Sequence, residues 1–289
     1  MSTAAGQTVT SPWAVHRRRG EALRERHPHA AQMLGLYLAL VDVWEEAWRR
    51  ARASRPEPHE LAGWAAAHVL PAVVTATDRS GPRPLAEAVT GLNATGAVEP
   101  LLTGWLAGAE PAPVERYLAR AVLRGPLEAL DAAAACARDP APRGGRNCPS
   151  CGGRPQLSFR ANADDALVSG GRHLTCARCG GTWAYSSNTC ASCGESTGAR
   201  RTVFAEHRDG PVVGRGRGRA SEAGAPSDAP LFPHLRIESC ASCARYLIDV
   251  DLGLDAGAVP EVDELAALPL DLFATERGLE KITPNLMGV

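Results

Sequence analysis

Eight cysteines arranged as four Cys-x-x-Cys units constrain this chain more than any other feature of its sequence. The units, in chain order, are Cys148/Cys151, Cys176/Cys179, Cys190/Cys193 and Cys240/Cys243. Two intervening residues let one tight turn direct both sulfurs at a single ion, and a tetrahedral site made only of cysteines needs four such ligands. The four units therefore predict two metal sites, for which Zn²⁺ and iron are the ions that suit tetrahedral sulfur.

The spacing leaves two pairings of the units open. Sequential pairing gives the first two units one ion and the last two units the other, whereas crossed pairing joins units from the two halves. Gly152, Gly180 and Gly194 directly follow three of the units, where a turn with positive φ favours glycine. Ala244 follows the fourth unit, and the sequence offers no reason for that difference.

Two other uses of paired cysteines are weighed against metal binding. Thioredoxin-like redox chemistry places its unit near a βαβ pattern, and no unit here has that context. The N-terminal sequence lacks the apolar run of a secretory signal, which predicts a cytoplasmic protein whose thiols stay reduced. We therefore expect closed four-cysteine sites, in which the ion supplies folding energy to small ribbons or, if it is iron, carries one electron.

Composition changes near residue 145, and this change predicts two structural halves. Residues 13–137 are rich in Ala and Leu, and Leu34, Val41 and Trp48 recur at helical spacing. This half is predicted to be a helical bundle in which prolines kink or end helices and residues 78–85 form a loop. Short alternating runs such as those at 173–176 and 201–207 predict strands in the cysteine-rich half.

The predicted fold class is α+β, with an N-terminal all-α helical bundle followed by two small rubredoxin-like or zinc-ribbon-like four-cysteine metal modules and a C-terminal helix. Pro269 is expected to kink that helix or delay its start. The expected segments are a disordered tail at 1–12, a helical domain at 13–137, a linker at 138–147, a first four-cysteine ribbon module at 148–189, a second such module at 190–250 with a flexible insert at 207–230, and a C-terminal helical segment at 251–289.

The other notable residues of the cysteine-rich half and its border are predicted to support the fold rather than to bind metal. Cys136 stands outside the four units and is predicted to be a small buried side chain. Trp183 and Tyr185 are predicted to pack over the ribbon. Eight thiolates already fill two sites, so the nearby histidines are not expected to be ligands. These histidines are His173, His207 and His234.

Two rival functions remain open from the residues alone. The motif RGRGR at 215–219 and Trp183 would suit a zinc-ribbon protein that binds nucleic acid, although a net charge of −1 disfavours that function. Four-cysteine sites filled with iron would suit a rubredoxin-like electron carrier. No segment approaches the roughly 20 apolar residues of a membrane-spanning helix, so membrane insertion is not expected. Motifs typical of catalytic sites are missing too, so no catalytic residues are predicted.

Several motifs together resemble the FdhE family, the formate dehydrogenase accessory proteins. The cysteine region carries the most specific of them, and the first helices and the C-terminal acidic-leucine segment carry looser ones. They are CPSCGGRP at 148–155, HLTCARCGGTWAY at 173–185 followed by CASCGE at 190–195, ESCASCARYLIDVD at 238–251, RRGEALRERHPHAAQMLGLYLAL at 18–40 and VDELAALPLDLFATERGLEKITPNL at 262–286.

The resemblance implies a cytoplasmic maturation factor rather than a catalyst of formate oxidation. It implies that the eight paired cysteines bind two metal ions, with iron favoured and zinc as the alternative. The expected partner is the catalytic subunit of formate dehydrogenase, and a homodimer is left open. Nothing in the resemblance marks the surface that binds the partner.

Overall fold

The computed structural model describes residues 11–130, 132–136, 145–160, 171–206, 212–214 and 230–288. Most of the expected tail, linker and insert lies outside the described residues, as do the RGRGR motif and His207. Within them the predicted α+β fold class is confirmed, because helices precede a mixed sheet with two groups of four cysteines and short helices follow it.

Helices make up the first half of the chain. They are α1 (Trp13–Arg26), α2 (Ala31–Ser54), α3 (Leu61–His68), α4 (Leu70–Ser80), α5 (Arg83–Ala94), α6 (Val98–Leu106), α7 (Pro113–Ala129) and α8 (Ala132–Ala135). The central helix is α2, which packs against α1, α4 and α7. Its residues Leu34, Val41 and Trp48 are buried, as their helical spacing predicts.

The prediction of a loop at 78–85 is largely wrong. Helix α4 continues to Ser80 and α5 begins at Arg83, which leaves two residues between them. Pro84 lies in the first turn of α5, where a missing backbone N–H costs nothing. Pro71 similarly lies in the first turn of α4 and marks its start. Pro126 lies inside α7, which continues past it to Ala129, so this proline does not end its helix.

Helices α2 and α7 approach each other closely at Gly125. A Cβ atom at this position would lie 2.7 Å from the Trp44 carbonyl oxygen and 3.0 Å from the Ala47 Cβ. The indole Nε1 of Trp44 donates a hydrogen bond to the Ala121 carbonyl at 2.7 Å, one turn away on α7. The absence of a side chain at Gly125 therefore sets the distance between the two helices.

Substitution of Gly125 by Ala is expected to lower the free energy of unfolding by about 1–3 kcal/mol, because the added methyl group must push two packed helices apart. Gly91 on α5 provides the matched control, since a Cβ there would meet nothing within 4 Å. Gly91→Ala should raise the free energy of unfolding by roughly 0.5–1 kcal/mol. Urea denaturation of both variants measures the contrast, and equal effects would contradict the close packing.

The C-terminal segment forms two short helices, α9 (Pro260–Ala266) and α10 (Leu268–Glu276). The break falls at Ala267, and Pro269 lies in the first turn of α10. The interruption predicted at Pro269 is therefore confirmed. Helix α9 lies between the two halves, since it contacts α1 and α2 on one side and the sheet on the other.

Strands of the second half form one mixed sheet. They are β1 (Pro155–Arg160), β2 (Arg172–Cys176), β3 (Thr182–Ala184), β4 (Arg201–Ala205), β5 (Val212–Gly214), β6 (Leu235–Cys240), β7 (Arg245–Asp251) and β8 (Glu280–Lys281). The order across the sheet is β3-β2-β1-β7-β6-β4-β5, with β8 paired to β7. The parallel pairing of β1 with β7, which sets Ser158 opposite Asp249, joins the two cysteine-containing parts.

Candidate metal centres

Four cysteines from the first two units form a compact group that we call the first centre. Cys148 and Cys151 precede β1, Cys176 ends β2, and Cys179 lies in the turn toward β3. The Sγ atoms of Cys148 and Cys179 are 3.7 Å apart, and those of Cys151 and Cys176 are 3.4 Å apart. All four thiols lie within 4.8 Å of one another and all four residues are buried.

The last two units form the second centre in the same way. Cys190 and Cys193 lie between β3 and β4, Cys240 ends β6, and Cys243 lies in the turn toward β7. The Sγ atoms of Cys190 and Cys243 are 3.9 Å apart, and those of Cys193 and Cys240 are 3.7 Å apart. The structure thus groups the units sequentially rather than crosswise.

The distances between sulfurs fit a tetrahedral ion. Metal–sulfur bonds of about 2.3 Å in tetrahedral geometry place neighbouring sulfurs about 3.8 Å apart. The closest pairs in the two centres are separated by 3.4 to 3.9 Å. Backbone N–H groups of Arg178 and Gly181 also point at the sulfurs of Cys176 and Cys179, at 3.3 and 3.4 Å. Each centre can therefore hold one metal ion with four thiolates.

Packing the thiols together opposes their joint ionisation. Hydrogen bonds from Cys151 and Cys176 lower the pKa of Cys148. Hydrogen bonding with Cys136 and with Cys148 raises the pKa of Cys151. In the second centre, burial and the neighbouring thiols raise the pKa of Cys243 to about 12. A bound cation reverses this preference, because metal binding requires deprotonated thiols.

The turn after each unit takes the same backbone conformation, including the one without glycine. Gly152, Gly180 and Gly194 have φ values of 68°, 72° and 83°. Ala244 has a φ of 53° and so adopts the left-handed conformation that its three glycine counterparts adopt without strain. The fourth turn therefore keeps the geometry of the others at a conformational cost.

Replacing Ala244 with Gly is expected to raise the free energy of unfolding by about 1 kcal/mol, because left-handed backbone disfavours residues with a Cβ. Ala241 in the same turn is the control, since its φ is not positive. Ala241→Gly should instead lower the free energy of unfolding by roughly 0.5–1 kcal/mol. Urea denaturation of the metal-loaded chain measures both, and a loss of stability in Ala244→Gly would be inconsistent with the strained turn.

Two arginines cover the first centre, one from the helical half and one from the second cysteine unit. Arg124 on α7 donates to the carbonyl oxygen of Cys179 at 3.3 Å. Its guanidinium packs against Gly180, where a Cβ would lie 2.0 Å from Nη1. Arg178, inside the second unit, stacks on Trp105 of α6 with its guanidinium carbon 5.0 Å from the ring centroid. The first centre thus lies at the junction of the bundle and the sheet.

The second centre lies at the surface. Cys190 and Cys240 are buried, but Cys193 is exposed and Cys243 is partly exposed. The hydroxyl of Tyr185 donates to the carbonyl oxygen of Cys190 at 3.1 Å and so supports this centre from the side of the sheet. The two centres have the same ligand set but different access to solvent.

A buried carboxylate and three arginines connect the strands between the centres. Glu238 on β6 is 4% exposed. It pairs with Arg160 of β1 at 2.7 Å, with Arg172 of β2 at 2.6 Å and with Arg201 of β4 at 2.9 Å. Arg172 also donates to the carbonyl oxygens of residues 186 and 189, just before Cys190. This charged cluster therefore positions the loop that enters the second centre.

A third group of side chains that could bind a metal ion lies between the bundle and the sheet. It contains His234, Asp255 and Asp263. The guanidinium of Arg19 on α1 pairs with both aspartates, at 2.7 Å from Asp255, and His234 Nε2 lies 2.7 Å from Asp263. Arg19 thus supplies the positive charge that balances these carboxylates and ties α1 to the start of α9.

The other residues that the sequence analysis considered are buried or contact neighbouring side chains. Trp183 and Tyr185 are buried, as predicted. The His173 ring stacks on Phe159 and lies beside the Gly171 carbonyl. Cys136 is buried, as predicted, but its thiol lies in hydrogen-bonding contact with Cys151, which the sequence did not indicate.

Neither Arg124 nor the arginine partners of Glu238 could be recognised in the sequence, because each is one of 30 arginines and has no distinctive spacing. Arg178 stands inside a Cys-x-x-Cys unit, but the sequence did not indicate its contact with Trp105.

No helix among the described residues is long and apolar enough to cross a membrane.

The amino-acid sequence is similar to those of FdhE homologs over about half of the chain. No protein-family model matches it. A protein FdhE homolog of Aquifex aeolicus is 30% identical over 141 residues, which cover 49% of this chain and 41% of the relative. A protein FdhE homolog of Pseudomonas putida is 31% identical over 140 residues, which cover 48% of this chain and 37% of the relative. The matched part therefore spans about two-fifths of the length of these relatives.

The fold is similar over nearly the whole chain to a solved structure. The crystal structure of the FdhE protein from Pseudomonas aeruginosa aligns with a TM-score of 0.57 at 20% sequence identity. The alignment covers 97% of this chain and 98% of that one. This likeness extends the agreement in fold to the parts of the chain outside the matched sequence.

Proposed function

We propose that this chain, which is similar to FdhE homologs in sequence over about half of its length and in fold over nearly all of it, is a cytoplasmic accessory protein in the maturation of formate dehydrogenase. In this role it binds the catalytic subunit before assembly and performs no catalysis itself. Each of its two centres holds one metal ion through four cysteines. The observation that carries the proposal is the pair of four-cysteine groups on an FdhE fold.

The eight ligands proposed are Cys148, Cys151, Cys176 and Cys179 in the first centre, and Cys190, Cys193, Cys240 and Cys243 in the second. Tetrahedral thiolate sites suit both zinc and iron. The resemblance to the family favours iron, which would supply one-electron redox chemistry, whereas zinc would act as a structural ion. In either case the chain contributes four thiolates to each centre, together with N–H donors to the sulfurs and the surrounding strands.

The structure argues against the alternative of a zinc ribbon that binds nucleic acid, because Trp183 is not available to contact a base. Trp183 is 6% exposed, and its Nε1 donates to the Gly145 carbonyl at 3.0 Å. A ring held in this way cannot stack on a base. The RGRGR motif lies outside the described residues, so the proposed function does not depend on it.

A rubredoxin-like electron carrier is the second candidate function. The exposed position of Cys193 favours it, because electron transfer needs close approach to the ion. This function requires iron that cycles reversibly between two oxidation states. Reversible bleaching of a visible absorption band would support it, and a colourless zinc protein would remove it.

Co-purification from the natural host tests the proposed partner. The tagged full chain, expressed in cells that make formate dehydrogenase, is expected to retain the catalytic subunit, identified by mass spectrometry. A tagged unrelated protein with a four-cysteine zinc site serves as the control for unspecific capture. Consistent absence of any formate dehydrogenase subunit, while the tagged chain is folded and metal-loaded, would overturn the proposed partner.

A further inference from the structure

We infer that the two centres have different tasks. The second centre exchanges its ion with ligands from solution, whereas the first keeps its ion and locks the helical bundle onto the sheet. The inference rests on the metal binding proposed above and not on the proposed partner. It follows from the difference between the surroundings of two sites that have the same four ligands.

Within the described part of the chain, the first centre offers no approach to an incoming ligand. Its four cysteines are at most 3% exposed. Arg178 covers one side, where it pairs with Glu110 at 3.3 Å and donates to the Cys151 carbonyl at 3.4 Å. Arg124 covers another side through its contacts with Gly180 and Glu261. Release of the ion therefore requires the bundle to move away from the sheet.

The space beside the first centre is also too small for a chelator. A cavity of about 30 Å³ lies next to Cys176 and is lined by Arg120 and Gln156, among others. Such a volume holds on the order of one water molecule. Arg120 closes it from α7 by donating to the Pro284 carbonyl at 3.0 Å. A ligand with several donor atoms cannot enter while these contacts persist.

The second centre is open on the side of Cys193. Most residues that flank the exposed cysteines in the two turns are small and exposed, which leaves room for an incoming ligand. They are Gly194, Ala241, Ser242 and Ala244. The one large side chain beside Cys193 among the described contacts is the exposed Arg146, which packs near Gly194 and donates to the Ser192 carbonyl at 2.6 Å. Apart from the contacts between the four sulfurs, the described side chains join the two turns through a hydrogen bond from the Ser242 hydroxyl to Glu195 at 2.8 Å.

Exchange at this centre is a substitution of ligands without oxidation or reduction. With an ion bound, an incoming donor atom would take the place of the Cys193 Sγ, and Cys193 would leave as a thiolate that takes up one proton from water. The partly exposed Cys243 would be replaced next in the same way, and the buried Cys190 and Cys240 would be the last thiolates to hold the ion.

Competition with a coloured chelator tests the inference. The full chain is loaded with zinc alone, and pyridylazoresorcinol reports each ion as it is released. One ion per chain is expected to leave at least ~100-fold faster than the other, because release from a buried site needs an opening of the fold. Alkylation during the fast phase, read by mass spectrometry, should modify the cysteines of the second centre and spare those of the first.

A Cys193→Ser variant provides a second readout. It should lose the fast phase or accelerate it further, while the slow phase keeps its wild-type rate. Release of both ions in a single phase would overturn the inference, as would early alkylation of Cys148 or Cys176. A chain that binds no zinc would instead refute the metal binding itself, so the two failures are distinguishable.

Discussion

A Cys176→Ser chain is expected to lose its folded sheet while it keeps most of its helices. The variant removes one of four ligands from the first centre. Structural zinc sites contribute about 10–16 kcal/mol to folding, and total stabilities are only about 5–15 kcal/mol. The helices around α2 and α7 retain their own apolar core, which includes Leu34, Trp44 and Leu118.

Limited proteolysis followed by mass spectrometry measures this outcome, together with far-ultraviolet circular dichroism. New cleavage sites are expected after residue 145, with the helical half largely resistant. Cys193→Ser is the matched control, because it removes one ligand from the exposed centre, away from the junction with the bundle. Its new cleavage sites should be confined to the turns near 190–195 and 240–244. Wild-type resistance in Cys176→Ser would contradict the structural role of the first centre.

The second large effect is expected at Glu238, whose substitution by Gln should lower the free energy of unfolding by about 3–5 kcal/mol. The change keeps the shape of the side chain but removes the charge that three arginines share. Arg172 is the most affected, since its side chain is 0% exposed and would remain as a buried cation without a carboxylate. Such an unpaired charge cannot be hydrated without opening the sheet.

Urea denaturation of the metal-loaded chain measures this loss, with Glu280→Gln as the matched control. Glu280 pairs with Arg245 at 3.1 Å, but its side chain is 73% exposed. Exposed ion pairs contribute roughly 0–1 kcal/mol, so the control should change little. Glu238→Gln should also speed the release of the ion from the second centre, because Arg172 holds the loop before Cys190. Equal stability of the two variants would contradict the role of the charged cluster.

The cysteine spacing predicted the two centres because it encodes a local turn. A Cys-x-x-Cys unit brings two sulfurs together through a turn that depends only on local sequence. A glycine at the next position indicates that this turn ends with a positive φ. The helical periodicity of Leu34, Val41 and Trp48 likewise reports a buried face. Pro269 marked the break between α9 and α10 because a proline favours the first turn of a helix.

The asymmetry of the centres could not be predicted, because it depends on contacts between distant residues. Arg124 lies 55 residues before Cys179 in the chain, and its sequence neighbourhood resembles that of other helical arginines. The arginine partners of Glu238 come from three strands. The loop expected at 78–85 was placed wrongly because Pro84 starts a helix there, whereas a Gly-Pro pair in isolation favours a turn.

Metal analysis together with the visible spectrum, on full chain purified without oxygen, tests the central claim most directly. Two ions per chain are expected, with iron recognised by thiolate-to-iron absorption after oxidation. The eight paired cysteines should resist alkylation until the ions are removed, and those of the second centre should react first. A folded chain without bound metal, or one whose paired cysteines are joined as disulfides, would contradict metal binding by the two centres.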